Sequence, residues 1–281
     1  MNLVHIGDKK SFQNKLDQLK KAGHEFLHVV ADFDRTLTRN SGKDGKTYTS
    51  ANLLQQTGII SKSLQDNIKE LYAHYYPIET SRLIPFEERK AKMIEWWTKN
   101  YEAFIEAGIN RDHFLEAVRE NKMLLRPGAH DFIEILRAKN IPLVIFSAGS
   151  GDSINFFLEH NELKHPGIDV ISNYIEFDKD GRAVGYDESF IHSHNKHESL
   201  GNNPVLNKHA LERKNVILLG DLIEDTLVAD NIDYLTIVKV GFLNENIEDN
   251  LDEYKRVFDV VITHDGPMDS VHEILQEIID K

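Results

Sequence analysis

The sequence has 281 residues, of which 41% are hydrophobic and 28% are charged, and this balance excludes a disordered or collagen-like chain. Its 46 acidic residues outnumber its 33 lysines and arginines, for a formal net charge of -13. This charge disfavours a sequence-independent nucleic-acid binder, because such proteins need a basic surface. The absence of cysteine excludes disulfides, thiolate metal sites and a cysteine nucleophile.

The sequence carries no sign of a membrane protein. No apolar stretch approaches the roughly 18–20 residues that a transmembrane helix needs. The opening MNLVHIGDKKSFQ lacks the apolar region of a secretory signal, so we expect a cytoplasmic protein. We also expect a monomer that acts on a small molecule, with neither a nucleic acid nor a membrane as its partner.

Short apolar runs rich in β-branched residues alternate with helical patterns along most of the chain. The runs predicted as strands cover residues 27–34, 141–149, 215–221, 234–241 and 258–265, with a weaker one at 168–173. Their continuous apolarity is typical of strands buried on both faces, as in a parallel sheet covered by helices. Residues 174–188 indicate a β-hairpin that turns at Asp180 and Gly181. The alternation predicts an open, doubly wound α/β sheet.

The long interval between the first two predicted strands contains only helical patterns. They cover residues 50–60, 61–76, 86–108 and 111–125. About 80 residues are too many for a simple crossover or a structureless loop in a compact domain. We therefore predict a helical cap formed by residues 43–125 and placed over the carboxyl ends of the strands. It is inserted into a core formed by residues 1–42 and 126–281.

Polar side chains stand where the predicted strands end, which is where open α/β sheets bind their ligands. Asp32 and Asp34 follow the first strand, and their spacing places both carboxylates on one side of an extended chain. The other candidates are Ser147, Asp221, Asp225 and the loop residue Lys196. This set of carboxylates, a hydroxyl and an ammonium suits a hard divalent cation, and Mg²⁺ with a substrate phosphate fits well.

These segments resemble, in the same order, the motifs of the haloacid dehalogenase (HAD) superfamily. DFDRTLT at 32–38 matches its DxDxT motif, Ser147 fits the second motif, Lys196 the third, and GDLIED at 220–225 the fourth. The resemblance extends, over most of residues 25–281, to the cytosolic 5′-nucleotidase III (pyrimidine 5′-nucleotidase) family. It rests on the segments YYPIE, EWWTK, IFSAG, SNYIEFD, NKHE and VILLGD.

The resemblance implies an α/β fold with a HAD-like Rossmannoid parallel-sheet core and an inserted helical cap. It also implies Mg²⁺-dependent hydrolysis of nucleoside 5′-monophosphates. Asp32 would attack phosphorus to form an aspartyl-phosphate, and Asp34 would protonate the leaving ribose oxygen and then activate water. Mg²⁺ would be held by Asp32, the backbone carbonyl of Asp34, and Asp221. Asp225 would instead orient metal-bound water or Lys196.

The resemblance also assigns residues to the phosphate. Ser147 and the amide of the following Ala148 would hold a phosphoryl oxygen. Lys196 would bridge Asp32 and the phosphate as a point charge. Because Asp32, Asp34 and Lys196 are all present, a binding module that keeps the fold without catalysis is disfavoured.

Base selection is expected from the inserted helices, because the core contacts only the phosphate. Glu79 resembles the family's base-recognising acid, and Trp97 and Tyr101 share a helical face on which a base would stack. Asn100 stands where the pyrimidine enzymes carry a small hydroxyl residue, and we count it among the base-binding residues. Tyr101 follows in place of histidine, and EWW resembles the branch that acts on 7-methylguanosine monophosphate.

The preferred base is therefore open between pyrimidine nucleotides, such as CMP and UMP, and 7-methyl-GMP. The alternative activity is a HAD phosphatase for another small phosphomonoester such as phosphoserine. The aromatic residues of the cap disfavour this alternative, because a very small substrate needs no stacking surface. Transfer of the phosphoryl group to a second nucleoside is a further expectation from the aspartyl-phosphate route.

Overall fold

The computed structural model describes residues 3–81, 83–120, 122–201, 203–229 and 232–280. The strands are β1 (Val4–Ile6), β2 (Leu27–Ala31), β3 (Leu143–Ser150), β4 (Ile168–Asn173), β5 (Ile175–Phe177), β6 (Ala183–Tyr186), β7 (Asn215–Gly220), β8 (Thr236–Leu243) and β9 (Val260–Thr263). The main sheet has the order β1-β9-β8-β7-β2-β3-β4, and β5 and β6 form a separate antiparallel hairpin. Within the main sheet every neighbouring pair is parallel except β1 with β9. The predicted α/β class with a parallel-dominated sheet is confirmed.

Two details of the sheet differ from the sequence prediction. The antiparallel edge strand β1 was not predicted, because its three half-buried residues are too few to form a recognisable apolar run. The first predicted strand ends at Ala31 rather than at residue 34, because the chain turns sharply immediately afterwards, in the segment Phe33–Leu37. Asp32 and Asp34 therefore belong to a tight turn and not to an extended strand.

Eleven α-helices are assigned within the described residues. They are α1 (Lys9–Ala22), α2 (Leu53–Thr57), α3 (Lys62–Glu79), α4 (Phe86–Glu106), α5 (Arg111–Arg119), α6 (Ala129–Ala138), α7 (Gly151–His160), α8 (Lys196–Gly201), α9 (Pro204–Glu212), α10 (Ile247–Val257) and α11 (Asp269–Ile279). No helix in this part of the chain is both long and apolar enough to cross a membrane.

Alternate residues of the central strands pack on opposite sides of the sheet. Val29 of β2 and Ile145 of β3 belong to a large apolar cluster with residues of α1, α6, α7 and α11. Val30 and Val144, their sequence neighbours, belong to a second cluster with Leu206 of α9. This period of two, with both faces covered, explains why the strands read as continuous apolar runs.

The helices α2 to α5, called the cap helices below, are inserted between β2 and β3. The two ends of this inserted segment lie side by side, because Thr38 and Leu125 form an antiparallel bridge. The hairpin of β5 and β6 joins the cap helices, since Ala183 N donates to Ile109 O at 2.9 Å. The division into a core of 1–42 and 126–281 and a cap of 43–125 stays a prediction.

Candidate active site

The candidate residues meet at the carboxyl ends of three adjacent strands. Asp32 follows β2, Ser147 lies near the end of β3, and Asp221 follows β7, while Lys196 is the first residue of α8. In the sheet β2 lies between β7 and β3. Because parallel strands place their carboxyl ends at one edge, residues far apart in sequence come together there.

The Lys196 ammonium lies between two carboxylates. Its Nζ donates to Asp32 Oδ1 and, at 2.6 Å, to Asp225 Oδ1. All three side chains are buried. Although burial opposes it, the carboxylates of Asp225 and Asp32 raise the pKa of Lys196, so this lysine is a fixed positive charge.

This cluster contains more carboxylates than cationic side chains. Burial raises the pKa of Asp32 to about 7 despite the opposing effect of Lys196, and burial raises the pKa of Asp221 above its ordinary range. The negative charge of Asp32 also raises the pKa of Asp221, and the charges of Asp225 and Asp34 raise that of Asp32, because buried negative charges repel. A further cation is therefore needed for all of them to be ionised together.

The carboxylates of Asp32, Asp221 and Asp225 offer oxygen atoms within 4.8 Å of one another. Oxygen donors of this kind suit Mg²⁺, which prefers carboxylates, carbonyls and water. Both oxygens of Asp225 are already engaged, Oδ1 by Lys196 and Oδ2 by the amide of Leu222 at 2.9 Å. The donor set thus fits a metal held by Asp32 and Asp221, with Asp225 holding Lys196 in place.

Asp34 is held by a residue that the sequence motifs did not identify. Both of its carboxylate oxygens accept hydrogen bonds from Ser50, one from the amide and one from the hydroxyl, each at 2.6 Å. Burial raises the pKa of Asp34, while the bonds from Ser50 lower it. A carboxyl with a raised pKa suits a group that must release and recover a proton. Nothing in the pattern around Ser50 signals this role, because the contact depends on how the loop between β2 and α2 folds.

The turn after Asp32 is fixed by Arg126, a buried residue that sequence reasoning also missed. Its guanidinium donates to Thr36 O at 2.7 Å, to Gly266 O at 2.8 Å and to Arg35 O. Within the turn Asp34 is extended and Arg35 is left-handed, with φ of 61°. Because this conformation is unfavourable for a non-glycine residue, the bonds from Arg126 stabilise the shape that directs both aspartates.

Close packing at the site requires glycine at two positions. A Cβ on Gly149 would lie 1.9 Å from Ser50 Oγ, and one on Gly220 would lie 2.5 Å from Asp225 Cβ. Gly149 N donates to Ser147 Oγ at 3.0 Å, so the Ser147 hydroxyl is held beside Asp34 and Ser50. These glycines explain why small residues appear in the segments IFSAG and VILLGD.

A cavity of about 820 Å³ lies between the cap helices and the sheet. The predicted residues Glu79, Trp97, Asn100 and Ala148 all line it, together with Arg35 from the turn that follows Asp32. It is thus continuous with the neighbourhood of Asp34 and large enough for a nucleoside. Two of the residues that line it, Asn100 and Trp96, each have a polar side-chain atom, Oδ1 and Nε1, that is buried away from the cavity without a hydrogen-bond partner among the described residues.

Glu79 is oriented by a neighbour from the loop before α8. Ser193 Oγ donates to Glu79 Oε1 at 2.7 Å, and Ser193 also lines the cavity. The other carboxylate oxygen of Glu79 makes no recorded hydrogen bond within the described residues. Tyr72 and Tyr76, which also line the cavity, stack on each other with ring centroids 4.9 Å apart.

The stacking role predicted for Tyr101 is wrong. Its ring is 1% exposed and does not line the cavity, because Trp97, Phe104, Tyr186 and Phe190 surround it. Helical spacing correctly places residues 97 and 101 on one face of α4. Tyr101, however, is the more deeply buried of the two residues and packs against the apolar core. Trp97 remains the candidate for stacking, since its side chain reaches the cavity.

Comparison with known proteins places the chain in a family. Residues 35–279 match the family model described as pyrimidine 5′-nucleotidase (UMPH-1). The chain is 35% identical to the human 7-methylguanosine phosphate-specific 5′-nucleotidase, covering 95% of this chain and 89% of that protein. It is 34% identical to the A form of that enzyme from Xenopus laevis, covering 99% and 96%.

Comparison with solved structures agrees with the family match. The structure of cytosolic 5′-nucleotidase IIIB bound to cytidine matches with a TM-score of 0.89 at 28% identity, covering 99% of this chain and 94% of that one. A substrate-bound phosphoserine phosphatase matches with a TM-score of 0.52 at 14% identity, covering 88% and 96%, a likeness that shows the HAD fold alone. The resemblance expected from the sequence motifs is confirmed: this chain belongs to the pyrimidine 5′-nucleotidase (UMPH-1) family.

Proposed function

We propose that this protein is a Mg²⁺-dependent 5′-nucleotidase, which hydrolyses nucleoside 5′-monophosphates to a nucleoside and phosphate. The observation that carries the proposal is a nucleoside-sized cavity of about 820 Å³ whose wall includes Arg35, from the turn that follows Asp32 of the buried Asp32–Lys196 pair. The proposed site of phosphate chemistry and the proposed site of base recognition are therefore adjacent. The alternative substrate, phosphoserine, is not favoured, because it would leave most of this aromatic cavity unfilled.

Asp32 is the proposed nucleophile. Its carboxylate oxygen forms a bond to phosphorus as the bond to the ribose 5′-oxygen breaks, and Asp34 gives its proton to that leaving oxygen. Asp34 then takes a proton from the water that attacks the aspartyl-phosphate, which restores both side chains and releases phosphate. The raised pKa of Asp34 supports its first role as an acid, and the bonds from Ser50 support its second as a base.

Asp32, Asp221 and the backbone carbonyl of Asp34 are the proposed holders of Mg²⁺, with Asp225 positioning Lys196. When bound, the metal supplies positive charge that offsets the repulsion between these carboxylates and the phosphate. Ser147 and the amide of Ala148 are the proposed hydrogen-bond donors to a phosphoryl oxygen.

The base is proposed to lie in the cavity against Trp97, with Glu79 and Asn100 at its polar edge. Glu79 lines the cavity with one carboxylate oxygen that accepts no hydrogen bond from the described residues, and this supports the placement because a base can donate to it. A carboxylate such as Glu79 suits an exocyclic amine and also a cationic 7-methylguanine. Pyrimidine nucleotides and 7-methyl-GMP are therefore both candidates, in line with the names of the relatives.

Two further properties belong to this proposal. The aspartyl-phosphate route leads us to expect some phosphoryl transfer to a second nucleoside when one is supplied in excess. Relatives named cytosolic 5′-nucleotidases support a cytosolic location and a small-molecule nucleotide as the partner. A monomeric state stays a prediction.

Steady-state kinetics on CMP, UMP, 7-methyl-GMP and phosphoserine, each with Mg²⁺ and with EDTA, test the proposal. We expect turnover of at least one nucleotide, abolition by EDTA, and a far lower kcat/KM for phosphoserine. A preference for phosphoserine, or nucleotide turnover that is unaffected by EDTA, would refute it.

A further inference from the structure

Arg35 lies in the turn that carries Asp32 and Asp34, but it has no role in the mechanism described above. Its backbone is fixed on both sides, because its amide donates to Thr38 Oγ1 at 2.9 Å and its carbonyl accepts from Arg126 and from Asn244. The left-handed φ of 61° leads its side chain to the wall of the nucleoside cavity. The turn therefore holds a cationic side chain at the junction between the carboxylates and the cavity.

Among the described residues, the guanidinium of Arg35 forms one ion pair, with Asp221. Its Nε lies 3.7 Å from Asp221 Oδ2, which is longer than a hydrogen bond, and its side chain is 37% exposed. Lys196, in contrast, is buried and engaged by two carboxylates. Lys196 keeps one N–H donor beyond these two bonds, whereas the guanidinium of Arg35 donates no hydrogen bond within the described residues.

A charge count shows why a second cation matters. Asp32, Asp221 and Asp225 carry three negative charges when ionised, with Asp34 protonated as the proposed acid, and Lys196 and Arg35 carry two positive ones. One divalent cation would give this set a net charge of +1 before the substrate phosphate arrives. Without Arg35 the set would be neutral and would attract a phosphate dianion less strongly.

We propose that Arg35 is a further substrate-contacting residue, whose guanidinium binds a non-bridging phosphate oxygen from the cavity side. Its planar set of donors suits a phosphate, and its charge opposes the negative charge on the phosphoryl oxygens during transfer. This inference rests on the proposed phosphate chemistry. The competing role is a purely structural one, in which Arg35 only neutralises Asp221.

The test compares Arg35→Met and Arg35→Lys with Arg111→Met, an exposed arginine beside the hairpin turn, in the full-length protein. Calorimetry measures the dissociation constant of inorganic phosphate in the presence of Mg²⁺, and kinetics measure kcat/KM and the half-saturating Mg²⁺ concentration. Thermal unfolding checks that each variant is folded. We expect Arg35→Met to weaken phosphate binding by about 10-fold to 100-fold and to lower kcat/KM similarly, as for the loss of a charged hydrogen bond.

Arg35→Lys should recover part of both losses, because it restores the charge without the planar donors, and Arg111→Met should match the wild type. Unchanged phosphate binding in Arg35→Met, or a change confined to the Mg²⁺ requirement, would overturn the inference in favour of the structural role. Because phosphate binding needs no nucleotide, it separates the two proposals. A wild type that turns over no nucleotide, with phosphate binding that still depends on Arg35, would refute the proposed function alone.

Discussion

At the carboxyl ends of β2, β3 and β7, Lys196 donates hydrogen bonds to Asp32 and Asp225. Nearby, Asp34 accepts hydrogen bonds from Ser50. In the cavity under the cap helices, one carboxylate oxygen of Glu79 accepts no hydrogen bond from the described residues. The first region is organised before substrate arrives, as phosphoryl transfer requires, because reorganisation during the reaction would add to the barrier. The second leaves a polar group to be satisfied by a ligand.

This difference separates the residues proposed to carry out the reaction, at the strand ends, from those proposed to select the base, in the cavity. A substitution at the strand ends should affect every substrate alike, because all of them carry the same phosphate. A substitution in the cavity should instead depend on which base is offered. The predictions below test that separation, from the largest expected effect to the smallest.

Asp32→Asn should abolish turnover of every nucleotide, with a loss in kcat of at least about 1000-fold, because the amide cannot form the aspartyl-phosphate. The fold should persist, since the substitution keeps the size of the side chain. Phosphate release and thermal unfolding measure the two effects. Asp252→Asn, at an exposed position of α10, is the matched control. Undiminished phosphate release from Asp32→Asn would exclude this residue as the nucleophile.

Glu79→Gln should discriminate between bases. Its carboxylate would neutralise a cationic 7-methylguanine, so kcat/KM for 7-methyl-GMP should fall by about 10-fold to 100-fold, as for a lost charged interaction. CMP, which has a neutral base, should lose less. The ratio of the two kcat/KM values is the measurement, and Glu88→Gln, exposed at the start of α4, is the control. Equal losses for both nucleotides would contradict a role for Glu79 in selecting the base.

Ser50→Ala removes the hydroxyl that donates to Asp34 and keeps the amide bond. Because the hydroxyl bond lowers the pKa of Asp34, its removal should raise that pKa further. The limb of the kcat/KM profile on which Asp34 must stay protonated should therefore move to higher pH for every nucleotide, while kcat at neutral pH should fall by about 10-fold because less Asp34 is ionised to take a proton from water. The profile of kcat/KM against pH measures the shift, with the exposed Ser63→Ala as the control. A shift to lower pH would show that Ser50 does not act through Asp34.

The two regions also differ in how far the sequence predicts them. Asp32, Ser147 and Asp221 meet as expected, because parallel strands bring their carboxyl ends to one edge and buried strands are readable as apolar runs. Ser50 and Arg126 could not be predicted in this way. Each reaches the site from a loop or linker, and no periodic pattern encodes the path of such a segment.

In the cavity the limit lies in packing rather than in loop shape. The spacing of residues 97 and 101 correctly predicts a shared helical face, but one face of α4 borders both the cavity and the apolar core. What decides between them is contact with Tyr186 and Phe190, which follow Tyr101 by more than 80 positions. Such contacts are set by tertiary structure and leave no mark on the local pattern.

The pair Trp97 and Tyr101 gives the smallest expected effect and the sharpest contrast within one helix. Tyr101→Phe removes a buried hydroxyl that has no partner among the described residues, so the free energy of unfolding should change by less than about 0.5 kcal/mol or increase slightly. KM for each nucleotide should stay at the wild-type value, because the ring does not reach the cavity.

Trp97→Ala is the companion variant, and it should raise KM by about 10-fold through the loss of base stacking. Urea unfolding and KM for CMP and 7-methyl-GMP provide both readouts for the two variants. A rise in KM for Tyr101→Phe that matched the rise for Trp97→Ala would mean that the cavity reorganises around the substrate to include Tyr101. The separation between a fixed apolar core and a ligand-completed cavity would then fail at this helix.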